Sequence, residues 1–74
     1  MTDLTEKQEE VLAYISAQII TNQRPPTLQE IIDHFGWYSP NAAAAHLKAL
    51  ESKGAISRDK GVSRGIKILD EDYK

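Results

Sequence analysis

The stretch WYSPNAAAAHLKALESKG, residues 37–54, contains both the start and the end of one helix. Ser39 fits the N-cap, and Pro40 fits the first helical position, where a missing amide hydrogen costs nothing. Gly54 closes the helix, because glycine adopts the left-handed conformation after a helix C-terminus at little cost. The stretch therefore predicts a helix from Ser39 to Lys53, directly preceded by two aromatic residues.

The predicted helix has two chemically different faces. At about 100° per residue, one face is apolar and carries Ala43, Leu47 and Leu50. The other face carries Asn41, Ala44, Ala45, Lys48 and Ser52. The apolar face predicts contact with a core. The alanines of the other face have two interpretations: they support a marginal helix, since alanine is the strongest helix former, or they face a binding partner.

Two further helices are predicted upstream, each by a capping box. Thr5 is followed three residues later by Gln8, and the same spacing joins Thr27 to Glu30. Apolar residues recur at helical spacing in the first helix, at Val11, Leu12, Ile15 and Ile19. We expect this helix to reach about Ile20, where TNQRPP, residues 21–26, stops it because proline lacks an amide hydrogen.

The second helix is short and is followed by a tight turn. Its apolar residues are Ile31, Ile32 and Phe35, and Gly36 fits its C-terminus. The interval GWYS, residues 36–39, suits the turn of a helix-turn-helix unit. Trp37 in this turn is expected to pack rather than to face solvent.

After Gly54 the apolar period changes from 3.6 to 2. Ile56 lies on one side of the loop RDKGVSRG, residues 58–65, and Ile66 and Ile68 lie on the other, which predicts two antiparallel strands. The predicted fold is mainly α with a small β-hairpin: a winged helix-turn-helix of three helices and a two-stranded wing. Residues 1–69 form this domain, and the acidic tail 70–74 is either a frayed end or the start of a linker.

Size and composition restrict the function. A chain of 74 residues forms one small domain. It has no cysteine, so it contains neither a disulfide nor a thiolate metal site, and it shows no leader or membrane span. His34 and His46 lack further ligands at metal-binding spacing. We therefore expect a soluble cytoplasmic protein without metal, cofactor or evident small-molecule ligand.

The net charge of −2 conceals two halves of opposite sign. Residues 1–40 contain two basic and six acidic residues, whereas residues 41–69 contain six basic and two acidic ones. The second half would attract phosphate, and the first would repel it. The basic residues of the second half are Lys48, Lys53, Arg58, Lys60, Arg64 and Lys67.

Four segments together resemble the N-terminal DNA-binding domain of LexA-type repressors, the regulators of the bacterial SOS response. They are LTEKQEEVLAYI (4–15), RPPTLQEI (24–31), SPNAAAAHLKALESKGAI (39–56) and SRGIKIL (63–69). The resemblance covers Leu4 to Leu69 without an evident gap. It implies an operator-binding winged helix-turn-helix at the bacterial nucleoid, with the Ser39–Lys53 helix in the major groove and the hairpin loop near phosphate or minor groove.

The sequence departs from the family pattern in two ways. The best-known branch has acidic residues where this chain has Ala44 and Ala45, so we expect a changed or relaxed operator, because alanine offers only a methyl contact. The family's C-terminal domain, with its serine-lysine self-cleavage centre and main dimer contacts, is not in this sequence. The chain is therefore expected to be either a fragment or a naturally short relative from a phage or plasmid.

The resemblance and the charge pattern give two sets of contact residues. The expected base contacts are Ser39, Asn41, Ala42, Ala44 and Ala45, and the expected DNA backbone contacts are Tyr38, Lys48, Lys53, Lys60 and Arg64. Most of them have a structural interpretation as well: capping for Ser39 and Asn41, helix support for Ala44 and Ala45, packing in the turn for Tyr38, and a solvated face for the lysines and arginine.

The sequence offers no catalytic site, because no glycine-rich phosphate loop, nucleophile-base pair or paired carboxylates are evident. The predicted function is therefore sequence-specific binding of double-stranded DNA by a repressor domain that acts by operator occupancy. A homodimer on DNA would need the missing C-terminal domain or weak contacts. The alternative is a winged-helix protein-interaction module that modulates a host regulator, since the fold alone does not decide between them.

Overall fold

The computed structural model describes residues 4–59, 61–62 and 64–73. Three helices come first: α1 (Glu6–Asn22), α2 (Leu28–Phe35) and α3 (Pro40–Ser52). Two short strands, β1 (Ile56–Arg58) and β2 (Ile66–Ile68), form an antiparallel hairpin, and a 3₁₀ turn (Glu71–Tyr73) follows. This order confirms the predicted winged helix-turn-helix. Within the described ranges, no helix is long and apolar enough to cross a membrane.

Both predicted capping boxes are present. The Thr5 hydroxyl accepts from the Gln8 amide at 3.2 Å, and the Gln8 side chain accepts from the Thr5 amide at 3.1 Å. At α2, the Thr27 hydroxyl accepts from the Glu30 amide at 3.1 Å, and the Glu30 carboxylate accepts from the Thr27 amide at 2.9 Å. Each box pairs two amides that a helix start otherwise leaves without partners.

The helix ends agree with the predictions except at α1, which extends two residues beyond Ile20 to Asn22. The proline restriction applies first to Arg24, which directly precedes Pro25, so the chain remains helical until Gln23 turns left-handed at φ 59°. Gly36 has φ 69° and donates its amide to the Ile32 carbonyl, as expected for a glycine that ends a helix.

One core joins all the main elements. Its buried residues come from α1 (Val11, Leu12, Ile15), α2 (Ile31, Ile32), α3 (Ala43, Leu47, Leu50) and the hairpin with the residue before it (Ala55, Ile56, Ile68). The predicted apolar face of α3 is thus confirmed, and the opposite face points away from the core. Ile20, which ends the predicted stripe of α1, is 75% exposed.

The hairpin is anchored to the core through Ala55. Ile56 pairs with Ile68 and Arg58 with Ile66, and the Ala55 carbonyl accepts from the amides of both Leu69 and Asp70. The hairpin loop is closed by the Asp59 amide, which donates to the Gly65 carbonyl at 2.7 Å. The loop therefore begins from a fixed base on the body of the domain.

The acidic tail makes ordered contacts through residue 73. The Ser16 hydroxyl donates to the Tyr73 carbonyl at 3.0 Å, and the Tyr73 ring packs against the edge of the core. Over residues 71–73 the chain therefore docks on α1. Whether the tail 70–74 is an end of the chain or the start of a linker stays a prediction.

The loop geometry predicts that Gly65→Ala destabilises the wing. A Cβ at position 65 would lie 2.5 Å from the Asp59 carbonyl oxygen and 3.0 Å from that of Val62, so the backbone would have to move. We expect a loss of about 1–3 kcal/mol in the free energy of unfolding, measured by urea denaturation. Gly61→Ala is the matched control, because its nearest atom is at an ordinary 3.5 Å. Equal losses from both changes would contradict this explanation.

Candidate nucleic-acid interface

The outer face of α3 is a narrow, exposed strip. Asn41, Ala45, Lys48 and Ser52 are exposed, whereas Ala42 and Ala44 are half-buried. Because a helix rises 1.5 Å per residue, Asn41 and Lys48 lie about 10 Å apart along the axis. The predicted division of α3 into two faces is therefore confirmed, with Ala44 at the border of the exposed one.

The first turn of α3 is not capped by its serine. Ser39 occupies the predicted N-cap position, but its hydroxyl makes no capping hydrogen bond. Its φ of −143° is more extended than the −73° of Thr5 or the −81° of Thr27, whose hydroxyls do reach the following turn. The expected side-chain cap at Ser39 is therefore wrong, and the first-turn amides of α3 have no side-chain acceptor at the N-cap.

An aromatic stack fixes the turn before α3. The Trp37 ring lies between Phe35 and His46, with both centroids at 4.8 Å and interplanar angles of 13° and 15°. This confirms the packing interpretation of Trp37 and gives His46 a structural role. The neighbouring Tyr38 side chain is fully exposed, so the turn presents one aromatic ring to the core and one to solvent.

His34, the other histidine, also stacks on an aromatic ring. The His34 ring lies over Tyr14 of α1 at 4.0 Å and meets Phe35 edge-on at 4.8 Å. Over the part of the chain that the structure describes, no cluster of three or more His, Asp or Glu side chains suits a metal ion. Helical spacing contains no signal for this stack, because it does not reveal which rings of different helices meet.

The expected phosphate-binding residues occupy different environments. Lys48 is exposed on the outer face of α3, and Lys53 lies just beyond the end of the helix. The Lys53 ammonium donates to the Gln8 side-chain oxygen at 2.8 Å and so joins the end of α3 to the start of α1. Lys60 lies outside the described residues.

Arg64 lies at the base of the wing and is bound to α2. Its guanidinium forms a two-pronged ion pair with the Glu30 carboxylate, at 2.8 and 3.1 Å, and also donates to the Pro25 carbonyl at 2.9 Å. The side chains remain 30% and 43% exposed, respectively. Local sequence patterns identify Glu30 only as a capping-box residue and do not reveal this ion pair, since Glu30 and Arg64 are 34 positions apart.

The LexA DNA binding domain family matches residues 1–65 of the chain. This match covers all three helices and the wing loop. The chain belongs to the LexA DNA-binding domain family.

Several LexA repressors are similar over nearly the whole chain. The LexA repressor of Thiobacillus denitrificans is 53% identical over 68 residues, which are 92% of this chain and 34% of that repressor. That of Pseudomonas chlororaphis is 52% identical over the same shares. That of Bordetella avium is 48% identical over 71 residues, 96% of this chain and 33% of the relative. The chain thus spans about a third of the length of these curated relatives.

The LexA-type architecture brings most of the expected contact residues to one end of the domain. All five expected base contacts lie in the N-cap and first two turns of α3: Ser39, Asn41, Ala42, Ala44 and Ala45. Tyr38 directly precedes them. Arg64 lies at the base of the wing instead, where its side chain is bound to Glu30 of α2. These contacts with DNA stay predictions. The family membership favours the DNA-binding hypothesis over the protein-interaction alternative.

The ion pair has a pH signature. Hydrogen bonds from Arg64 and from the Thr27 amide favour the ionised carboxylate and lower the pKa of Glu30 from 4.5 to about 2. Because the folded-state pKa is depressed, the stabilisation is fully present above about pH 4.5 and is lost as the pH falls toward 2.

We expect Glu30→Gln to lower the free energy of unfolding at pH 6, with a difference from wild type that shrinks progressively below pH 4.5. The measurement is urea unfolding of both proteins at several pH values between 6 and 2.5. The neutral amide keeps an acceptor for the Thr27 amide, so it isolates the charge. A difference that stays constant down to pH 2.5 would show that the carboxylate charge does not stabilise the fold.

Proposed function

We propose that this domain binds double-stranded operator DNA in a sequence-specific manner and represses transcription by occupying the operator. The N-terminal half of α3 enters the major groove, and the wing lies against the phosphate backbone or minor groove. The observation that carries the proposal is the two-faced α3: Ala43, Leu47 and Leu50 are fixed in the core, while the opposite strip is exposed. A helix anchored in this way presents its outer side chains in a defined geometry.

The strip has the chemistry for direct readout of bases. The Asn41 amide can donate and accept at once, the combination that pairs with the adenine edge. The side chains of Ala42, Ala44 and Ala45 are methyl groups, which suit contact with the thymine methyl and permit close approach of the helix. Ser39 adds a hydroxyl at the start of α3. An operator that differs from the best-known SOS-type site at the bases facing Ala44 and Ala45 follows from this composition.

Phosphate contacts supply the attraction that does not depend on sequence. The exposed Tyr38 hydroxyl and the first-turn amides of α3 lie at the helix N-terminus, where the helix dipole favours an anion. Lys48 and Lys53 extend the positive surface toward the C-terminus of the helix. Lys60 and Arg64 would add contacts from the wing.

Binding by one domain should be weak, and two copies on a symmetric operator should bind together. Helix-turn-helix proteins read two half-sites with two linked subunits, since the second contact then forms at a high effective concentration. In a longer repressor that contained this domain, the link would come from residues outside the domain. We propose a homodimer on DNA assembled in this way or through weak contacts between the domains.

The proposal is tested by fluorescence-anisotropy binding to a two-half-site SOS-type operator and to its scrambled version at several salt concentrations. We expect tighter binding to the operator and a steep dependence of affinity on salt. Equal, salt-sensitive binding to both duplexes would mean that the target sequence has changed, and selection from random duplexes would then identify it. No binding at low salt would contradict the proposal and favour the protein-interaction alternative.

Asn41→Ala and Lys48→Ala should weaken binding in different ways. Asn41→Ala should cost about tenfold or more on the preferred sequence and little on scrambled DNA, because a good side-chain contact to a base is worth roughly 1–3 kcal/mol. Lys48→Ala should weaken binding to both duplexes alike and reduce the logarithmic salt slope by about 0.9, the value for one phosphate contact. The same anisotropy titrations measure both effects, and identical profiles for the two variants would remove the case for separate roles.

A further inference from the structure

The wing is tied to the helix-turn-helix unit by the Glu30–Arg64 ion pair. Arg64 directly precedes Gly65 and β2, so its side chain extends from the base of the wing loop. Its guanidinium spans two acceptors on the other side, the Glu30 carboxylate and the Pro25 carbonyl. Three hydrogen bonds from one planar group define an orientation and not merely a distance.

Glu30 has two partners through the same carboxylate. Its Oε1 atom accepts both from the Thr27 amide, at 2.9 Å, and from Arg64, at 2.8 Å. The first bond caps α2, and the second holds the wing. The start of the helix-turn-helix unit and the base of the wing are therefore joined at one oxygen atom.

We propose that Glu30 is a positioning residue for DNA binding: through Arg64 it sets the orientation of the wing relative to α3. This inference rests on the proposed function, in which α3 and the wing contact the same duplex. If α3 and the wing contact DNA at the same time, a wing that is not held by the Glu30–Arg64 ion pair must become ordered during binding. That ordering lowers the affinity.

The sign of the effect separates this role from simple electrostatics. A carboxylate near DNA repels phosphate, so removal of an uninvolved acidic residue should leave binding unchanged or make it tighter. The positioning role predicts the opposite for Glu30. Likewise, if Arg64 only contacts phosphate electrostatically, replacing it by lysine should leave DNA binding unchanged. If it positions the wing through Glu30, the same replacement should weaken binding, because a lysine ammonium cannot make the two-pronged pair.

The experiment compares Glu30→Gln, Arg64→Lys, the double variant and a matched control, Asp33→Asn. Asp33 lies on the same helix, is exposed, and its carboxylate accepts only from Gln29 among the described hydrogen bonds, at 2.9 Å. Asp33→Asn thus removes the same charge without touching the wing. Anisotropy binding to the preferred operator is measured for each protein at temperatures well below its thermal unfolding transition.

We expect Glu30→Gln and Arg64→Lys each to weaken operator binding by roughly two- to fivefold, the range for a partly exposed ion pair. The logarithmic salt slope should not change, and the double variant should bind no more weakly than either single one, because both changes break one interaction. Asp33→Asn should bind as wild type or slightly more tightly. In the free proteins, the amide NMR signals of Gly61 and Gly65 in the wing should shift in Glu30→Gln and Arg64→Lys but not in Asp33→Asn.

Operator binding by Glu30→Gln as tight as by Asp33→Asn, or unshifted wing amides, would overturn the inference while the proposed function stands. If Arg64→Lys binds the operator as tightly as wild type, the inference is also overturned, and the role of Arg64 is limited to a phosphate contact. A wild-type domain without preference for any duplex would overturn the proposed function, and this inference with it.

Discussion

The burial of one face of α3 is the constraint on which the rest of the domain depends. Leu47 and Leu50 are fully buried among residues of α1, α2 and the hairpin. Full burial of such a side chain stabilises a fold by about 1.5–3 kcal/mol, a large share for a domain of this size. The helix proposed to read DNA is thus also the centre of the core, so its outer face is as firmly positioned as the core itself.

Contacts at both ends of α3 add to this anchoring. At the N-terminal end, Trp37 is stacked between Phe35 and His46, which locks the turn to both of the helices it connects. At the C-terminal end, Lys53 bonds to Gln8 of α1. Between these points the exposed strip consists of small or polar side chains. A surface of this kind can enter a groove without losing packing energy, because the core does not use it.

The acidic residues of α1 and the basic residue Lys48 of α3 lie on different helices. Those acidic residues, Glu6, Glu9 and Glu10, are exposed. Glu30 lies on α2, at the side facing the base of the wing, and forms an ion pair with Arg64. A net charge of −2 is therefore compatible with DNA binding. What matters is the local sign at the surface that meets phosphate.

The sequence by itself determined the three helices, the hairpin, the buried and exposed faces of α3 and the family. The helices, the hairpin and the two faces of α3 follow from short-range patterns, since capping boxes and helical or strand periodicity involve residues only a few positions apart. The family follows from the resemblance of four segments distributed along the chain. The tertiary structure alone decided the pairing of Glu30 with Arg64, the stacking of Trp37 on His46, the docking of Tyr73 on α1 and the missing side-chain cap at Ser39. The first three are contacts between segments that meet only when the domain packs, and the last is a property of the local conformation at Ser39. Local pattern shows which residues are polar or aromatic, but only the packed arrangement of helices decides which of them meet.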